Sequence, residues 1–260
     1  MPQSAIKAIL FDKDGTLLDY AKSWLPVNRD LALFAARGDA ALADRLLRGC
    51  GMDPDTGHVV PDSLLAAGST AEVAEGLVAF GSPMDVEELT RELDAMFAAG
   101  AMRAVAVTDL AVFFAGLKEK GYYLGVASSD NERSIRATAE RFGFTPFLDY
   151  VAGYDSGYGV KPEPGMLLGF CAAVGVAPHE VAMVGDNNHD MHMGRAAGAG
   201  LNVAVLTGTG SRESLSAASD HCLNDITELE SVLPAPEHFQ EKREAVLRPE
   251  LRQNKDSEPA

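Results

Sequence analysis

The run Phe11-Asp12-Lys13-Asp14-Gly15-Thr16 holds the residues of this 260-residue chain best suited to chemistry. It follows Ala8-Ile9-Leu10, a short apolar stretch that reads as a buried strand. Side chains two apart on a strand point the same way, so Asp12 and Asp14 converge, while Lys13 between them should point away and take no part. Two carboxylates gathered behind a buried strand repel one another and lose hydration unless a cation or a reaction needs them there. Gly15 frees the backbone to turn, and Thr16 brings a hydroxyl. Taken alone, Asp-Gly after a strand is also ordinary turn chemistry.

Further candidates fall where the same sheet would end. Residues 123–127 read as a strand stopping at Ser128, with Ser129 and Asp130 at a helix start whose free N–H groups would face an anion. Residues 181–184 read as a strand stopping at Gly185-Asp186, with Asp190 one helical turn on, and the loop 157–164 sets Lys161 in a Gly/Pro frame. Ligands of open parallel sheets bind beyond the carboxyl ends of the strands, so these positions share one edge. Singly, each has a plain structural reading: Ser128 as a helix cap, Lys161 as a solvated loop residue, Asp186 and Asp190 as a charged helix start. Their joint order along one chain is the stronger signal. His189 and His192 invite a zinc site, but with no third nitrogen or sulfur ligand nearby they are expected at the surface or behind the site.

The elements that must hold these residues alternate between strand and helix. Helices over 109–120, 131–142, 164–174 and 191–197 are each closed by a glycine. Strands over 8–11, 123–127, 149–153, 181–184 and 201–206 lie among them, and short helices over 211–217 and 226–233 flank an edge strand at 220–223. Such alternation dictates right-handed crossovers and a parallel sheet covered on both faces, a Rossmann-like α/β fold. Residues 20–104 break the pattern. They carry Leu31, Phe34, Ala35, Leu42, Leu46 and Leu47 at helical spacing, a Ser69/Glu72 capping box ahead of a helix through Phe80, and another helix over 85–98. The expected division is an α/β core of residues 1–19 and 105–233, an all-helical cap of 20–104, and a charged tail of 234–260. The tail should hold a polar helix over 237–247 and a disordered end over 254–260.

Hydrophobic residues make up 47% of the chain, enough for a sizeable core. The formal net charge of -16 argues against nucleic acid or an anionic membrane surface as partner. A small anionic substrate stays open, because a metal ion and one or two cations can invert the field inside a cleft. Three scattered cysteines make neither a disulfide framework nor a zinc knuckle and fit a reduced, cytoplasmic setting. No signal-peptide pattern is seen, and no apolar run nears the roughly 20 residues of a membrane span.

In order and spacing these motifs resemble the haloacid dehalogenase superfamily of phosphotransferases and hydrolases. Asp12 to Thr16 match its Asp-x-Asp-Gly-Thr, Ser128 its Ser/Thr after the second strand, and Lys161 its lysine before Pro. Gly185, Asp186 and Asp190 match its Gly-Asp-x-x-x-Asp, and Gly194 to Gly198 the glycine-bounded helix that follows. A helical cap between the first motif and the Ser/Thr strand is similar to the phosphoglycolate-phosphatase-like branch.

The resemblance implies a Mg²⁺-dependent phosphatase that hydrolyses a small phosphorylated metabolite, phosphoglycolate-like or a sugar phosphate, through an aspartyl-phosphate. Asp12 would be the nucleophile, and Asp14 the acid for the leaving oxygen and then the base for water. Mg²⁺ would be held by Asp12, the Asp14 carbonyl and Asp186, an oxygen-only set that suits this ion. Lys161, Ser128, Ser129 and Thr16 would grip the phosphoryl group, with Asp190 orienting Lys161. In the cap, Tyr20, Lys22, Trp24, Ser69 and Thr70 are the specificity candidates, with Arg103 at the return hinge. A β-phosphoglucomutase-like isomerase and a non-catalytic binding protein on the same fold remain as other readings; phosphate release separates the phosphatase from both.

Overall fold

Six strands form one parallel sheet: β1 (Ala8–Phe11), β2 (Tyr123–Ala127), β3 (Tyr150–Ala152), β4 (Val181–Gly185), β5 (Leu201–Val205) and β6 (His221–Leu223). Their spatial order is β3-β2-β1-β4-β5-β6. This is a computed structural model, and it describes residues 5–233; the helix and disordered end expected in the tail lie outside the described residues. β1, β4 and β5 are buried at every residue, which is why their sequences are near-continuous apolar runs rather than alternating ones. The winding reverses at β1, which pairs with β2 on one side and β4 on the other, and this switch point opens a crevice at the carboxyl edge. The register sets Phe11 level with Val126 and Val184, so the chain leaves all three strands at one height.

The first five of the helices between β1 and β2 are α1 (Tyr20–Ala35), α2 (Ala40–Gly49), α3 (Leu64–Ala67), α4 (Thr70–Ala79) and α5 (Val86–Ala101). They fill the interval read as an all-helical insert. Asp19, Asp39, Ser69 and Asp85 cap α1, α2, α4 and α5, and Ser69 with Glu72 forms the full capping box. Leu31, Ala35, Leu46 and Leu47 are buried as their spacing requires, but Phe34 is 40% exposed: it sits just off the buried stripe of α1. The two links between insert and sheet are laced together by Asp19 N to Val105 O (2.9 Å) and Val107 N to Leu17 O (3.0 Å). One apolar cluster runs through both parts, joining Phe11 and Phe114 near the sheet to Trp24, Leu31 and Leu93 of the insert.

The remaining helices are α6 (Leu110–Glu119), α7 (Glu132–Arg141), α8 (Gly165–Val174), α9 (Asn188–Ala197) and α10 (Arg212–Ala218). Gly175 and Gly198 close α8 and α9 in the left-handed conformation that favours glycine. Several boundaries differ from expectation, α5 running on to Ala101 among them. Residues Ile226–Ser231 form a 3₁₀ helix, and α9 begins at Asn188 rather than Met191. The early start has a cause in Asn187, whose side chain accepts from His189 N while the Asp190 carboxylate accepts from Asn187 N.

Candidate active site

A cavity of about 100 Å³ lies beyond the ends of β1, β2 and β4, floored by loops of the sheet and walled by the helical insert. Asp12, Asp14, Ser128, Ser129, Lys161, Asp186 and Asp190 all line it, although they come from four separate stretches of sequence. Tyr20, Trp24 and Thr70 line it from the insert.

Asp12 follows the last paired residue of β1. Its Oδ1 lies 2.6 Å from Lys161 Nζ, which lies 2.6 Å from Asp190 Oδ1 as well. All three side chains are buried, and Asp12 Oδ2 is buried with no partner. Burial works against the charge of Lys161, but the carboxylates of Asp12 and Asp190 outweigh it and leave its pKa above the usual lysine range. Burial raises Asp190 to about 6 despite Lys161. Asp186 rises well above the carboxylate range, through burial first and then the charges of Asp12 and Asp190. Oxygens of Asp12, Asp186 and Asp190 lie within 4.8 Å of one another. Three buried acids at that spacing, one with an orphaned oxygen, fit a hard divalent cation with oxygen ligands. Hydrogen bonding separates the three: both Asp190 oxygens are engaged, by Lys161 and by Asn187 N, whereas Asp12 Oδ2 is free.

Asp14 sits in a second, parallel arrangement. Its Oδ1 accepts from Trp24 Nε1 at 2.7 Å, and its Oδ2 is 2.7 Å from Lys13 Nζ. Lys13 is fully buried, lies 3.2 Å from Asp130 Oδ2, and stands over the Trp24 ring at 5.1 Å. Burial pushes the Asp14 carboxyl up to about 6 against the pull of Lys13. The expectation that Lys13 points away from the aspartates is therefore corrected: it pairs with Asp14. Strand pairing ends at Phe11, so alternation does not reach Asp14; Gly15, at φ +87°, turns the chain and the four-carbon lysine stem reaches the acid.

Asp186 is fixed by crowding. Its Oδ2 accepts from Thr209 N at 2.9 Å, in a loop after β5 that the sequence reading passed over. A Cβ on Gly15 would stand 2.6 Å from Asp186 Cγ, and one on Gly208 would overlap the Asp186 carboxylate. Gly185 is likewise pressed against the Asp190 side chain.

Ser128 is buried, and its Oγ accepts from Asp130 N at 3.1 Å, so the Asp130 N–H expected to face an anion is engaged. Its own hydroxyl proton is left to give to a ligand. Thr16 is fully buried with an unpartnered hydroxyl and stands outside the cavity wall.

Among the insert residues, Trp24 and Tyr20 are drawn in closely. The Tyr20 hydroxyl donates to Leu65 O and accepts from Asn28 Nδ2 at 3.2 Å. Ser69 is occupied as the cap of α4, its Oγ 2.8 Å from Glu72 Oε2, and does not line the cavity. Lys22 is exposed and pairs with Asp19 at 2.6 Å, and Arg103 is exposed as well; neither lines the cavity. Long charged side chains at a helix start find nearer partners than a buried site. His192 is exposed as expected, but His189 lines the cavity. Its Nδ1 is buried without a partner, and burial lowers its pKa, which favours the neutral ring. Asn28, Leu64, Val73 and Phe97 were missed, the apolar ones because they carry only the periodicity of core; Asp130 was read for its backbone N–H, whereas its carboxylate pairs with Lys13 and lines the cavity.

Comparison with known proteins identifies the family and the fold. The chain matches the haloacid dehalogenase-like hydrolase family over residues 6–198. It is 28% identical over 202 residues to N-acetylmuramic acid 6-phosphate phosphatase of Pseudomonas aeruginosa, covering 76% of this chain and 81% of the relative. It is 32% identical over 120 residues to phosphoglycolate phosphatase of Haemophilus influenzae, covering 45% of this chain and 52% of that one. A haloacid dehalogenase-like hydrolase from Bacteroides fragilis shares the fold with a TM-score of 0.68 at 19% identity, over 86% of this chain and 99% of that structure. The chain belongs to the haloacid dehalogenase-like hydrolases.

Proposed function

We propose that the enzyme hydrolyses a small phosphorylated metabolite with Mg²⁺ through an aspartyl-phosphate on Asp12. The observation that carries this is the buried, unpartnered Oδ2 of Asp12 beside Lys161, at the floor of a cavity that Asp14 also lines. Asp12 and Asp186, with the backbone carbonyl of Asp14, would hold the ion, which when bound offsets charge on the phosphoryl oxygens.

In the first step an Asp12 carboxylate oxygen attacks phosphorus, the ester P–O bond breaks, and Asp14 gives its proton to the leaving alcohol oxygen. In the second, Asp14 takes a proton from water, the water oxygen attacks phosphorus, and the Asp12–phosphorus bond breaks to release phosphate. An acid held near neutrality suits both turns of this exchange, and such proton transfer is worth about 10²–10⁴-fold. Trp24 and Lys13 hold the Asp14 carboxylate from two sides, so it meets the substrate in one orientation. Lys161 and Ser128 would bind phosphoryl oxygens. The helical insert, as a cap over residues 20–104, would exclude bulk water from the intermediate.

Hydrolysis of p-nitrophenyl phosphate should proceed with Mg²⁺ and stop with EDTA, and Asp12→Asn should lower kcat by at least about 10⁴-fold with the fold retained. No activity with any divalent ion overturns the reading, and surviving activity in Asp12→Asn overturns the nucleophile.

A further inference from the structure

We infer that the substrate is a phosphate monoester whose alcohol half carries no negative charge, so that esters of hydroxy acids are discriminated against. The inference rests on the phosphatase reading above and concerns the part of the cavity beyond the phosphoryl site.

Charge is unevenly distributed around that cavity. Asp12, Asp14, Asp130, Asp186 and Asp190 line it, against the single ammonium of Lys161. That ammonium is already divided between two carboxylates at 2.6 Å each. Lys13 stands behind Asp14, with no exposed surface, and is not part of the wall. Even with a divalent ion in place, a phosphate dianion uses the positive charge there is.

Toward the insert the wall changes character. Trp24, Leu64, Val73 and Phe97 give apolar surface, and Asn28 and Thr70 give neutral polar groups. Among the described residues no arginine lines the cavity and no lysine besides Lys161 does. His189, with burial lowering its pKa, is no substitute for a fixed cation. A carboxylate on the alcohol half would give up its water for this wall, find no cation, and face acids already crowded together. Uncompensated burial of an ion is among the strongest penalties a site can impose. A hydroxyl or an amide incurs far less, because Asn28 and Thr70 can supply neutral hydrogen bonds. The site therefore fits phosphate esters of polyols, sugars or small neutral alcohols. The reaction is unchanged: the ester P–O bond breaks, and water leaves its hydroxyl on phosphorus and a proton on the alcohol.

A matched pair tests this: 2-phosphoglycolate against 2-phosphoglycolamide, alike in length and differing in carboxylate against carboxamide, with wild-type enzyme and Mg²⁺. The amide should show at least about 10-fold higher kcat/KM, and added salt should narrow the gap. Thr70→Lys, which sets a cation in the wall, should narrow it further by raising the carboxylate ester. The wild-type ratio decides even where that variant fails to fold. Equal or better turnover of 2-phosphoglycolate overturns the inference, as does a ratio unmoved by Thr70→Lys in a folded variant. If neither ester nor p-nitrophenyl phosphate is hydrolysed, the phosphatase reading has failed and takes this inference with it; hydrolysis of p-nitrophenyl phosphate with the wrong ratio condemns the inference alone.

Discussion

Lys161 and Lys13 are both buried and each bridges two carboxylates, Asp12 and Asp190 for the first, Asp14 and Asp130 for the second. The two halves of the site thus repeat one arrangement, but they face different things. Lys161 comes from a loop and opens on the cavity, where on the proposed function a phosphoryl group would share its charge. Lys13 sits under Asp14 and beside the Trp24 ring, away from the cavity wall, so its charge is spent on the protein alone. In the proposed mechanism the same ion-pair pattern would serve binding in one half and orientation in the other. What separates them is access to the ligand rather than the composition of the cluster.

The comparison can be broken most sharply at the lysines themselves. Lys161→Met should lower kcat by about 10²–10³-fold, as expected for losing a charged donor to the phosphoryl group. Lys13→Met should lower it only about 10-fold, through a loosened Asp14 that gives up roughly the strength of one hydrogen bond. Both should cost stability on the order of 3–5 kcal/mol, because each leaves buried acids unpaired. Urea melts and steady-state kinetics read both quantities; equal activity loss in the two variants would erase the distinction.

A smaller effect tests the acid/base half alone. Trp24→Phe keeps the ring and removes the donor to Asp14 Oδ1. On an alkyl phosphate, whose leaving oxygen needs a proton, kcat/KM should fall by about 10-fold. On p-nitrophenyl phosphate, whose leaving group needs none, it should hardly change. A uniform fall on both would mean that the indole serves packing.

The smallest effect concerns the acids as a set. Burial raises Asp14 and Asp190 to about 6, and Asp186 in the same direction, from an ordinary value of 3.8. Between about pH 4 and pH 6 the folded chain then holds protons that the unfolded chain has released, so stability falls as pH rises through that window. In EDTA, Tm should be several degrees higher near pH 5 than near pH 7. Asp186→Asn should flatten the slope, and Mg²⁺ near pH 7 should restore Tm in the wild type. A Tm that climbs from pH 5 to pH 7 equally in both proteins would count against the buried cluster.

The sheet was legible because its strands are apolar runs set among helices closed by glycines; Ser128 and Asp186 were legible because each stands at a strand end, and Lys161 because it lies in a loop framed by Gly and Pro. Lys13 was not, since alternation along a strand is a rule about paired residues and pairing stops at Phe11. Lys22 and Ser69 looked like substrate contacts from their distance to the hinge, but local partners at three-residue spacing claim both. Leu64, Val73 and Phe97 hold the opposite lesson: apolar periodicity says that a face is covered, not whether protein or ligand covers it.

The closeness of Gly15 and Gly208 to the Asp186 carboxylate carries a consequence for variation in this chain. Neither glycine offers a functional group, yet adding a single methyl to either would displace Asp186, an acid proposed to hold the ion with Asp12. In a survey of random variants these two positions would score as intolerant as Asp12, the proposed nucleophile. Inactive proteins would then arise with every reactive side chain still in its place in the sequence.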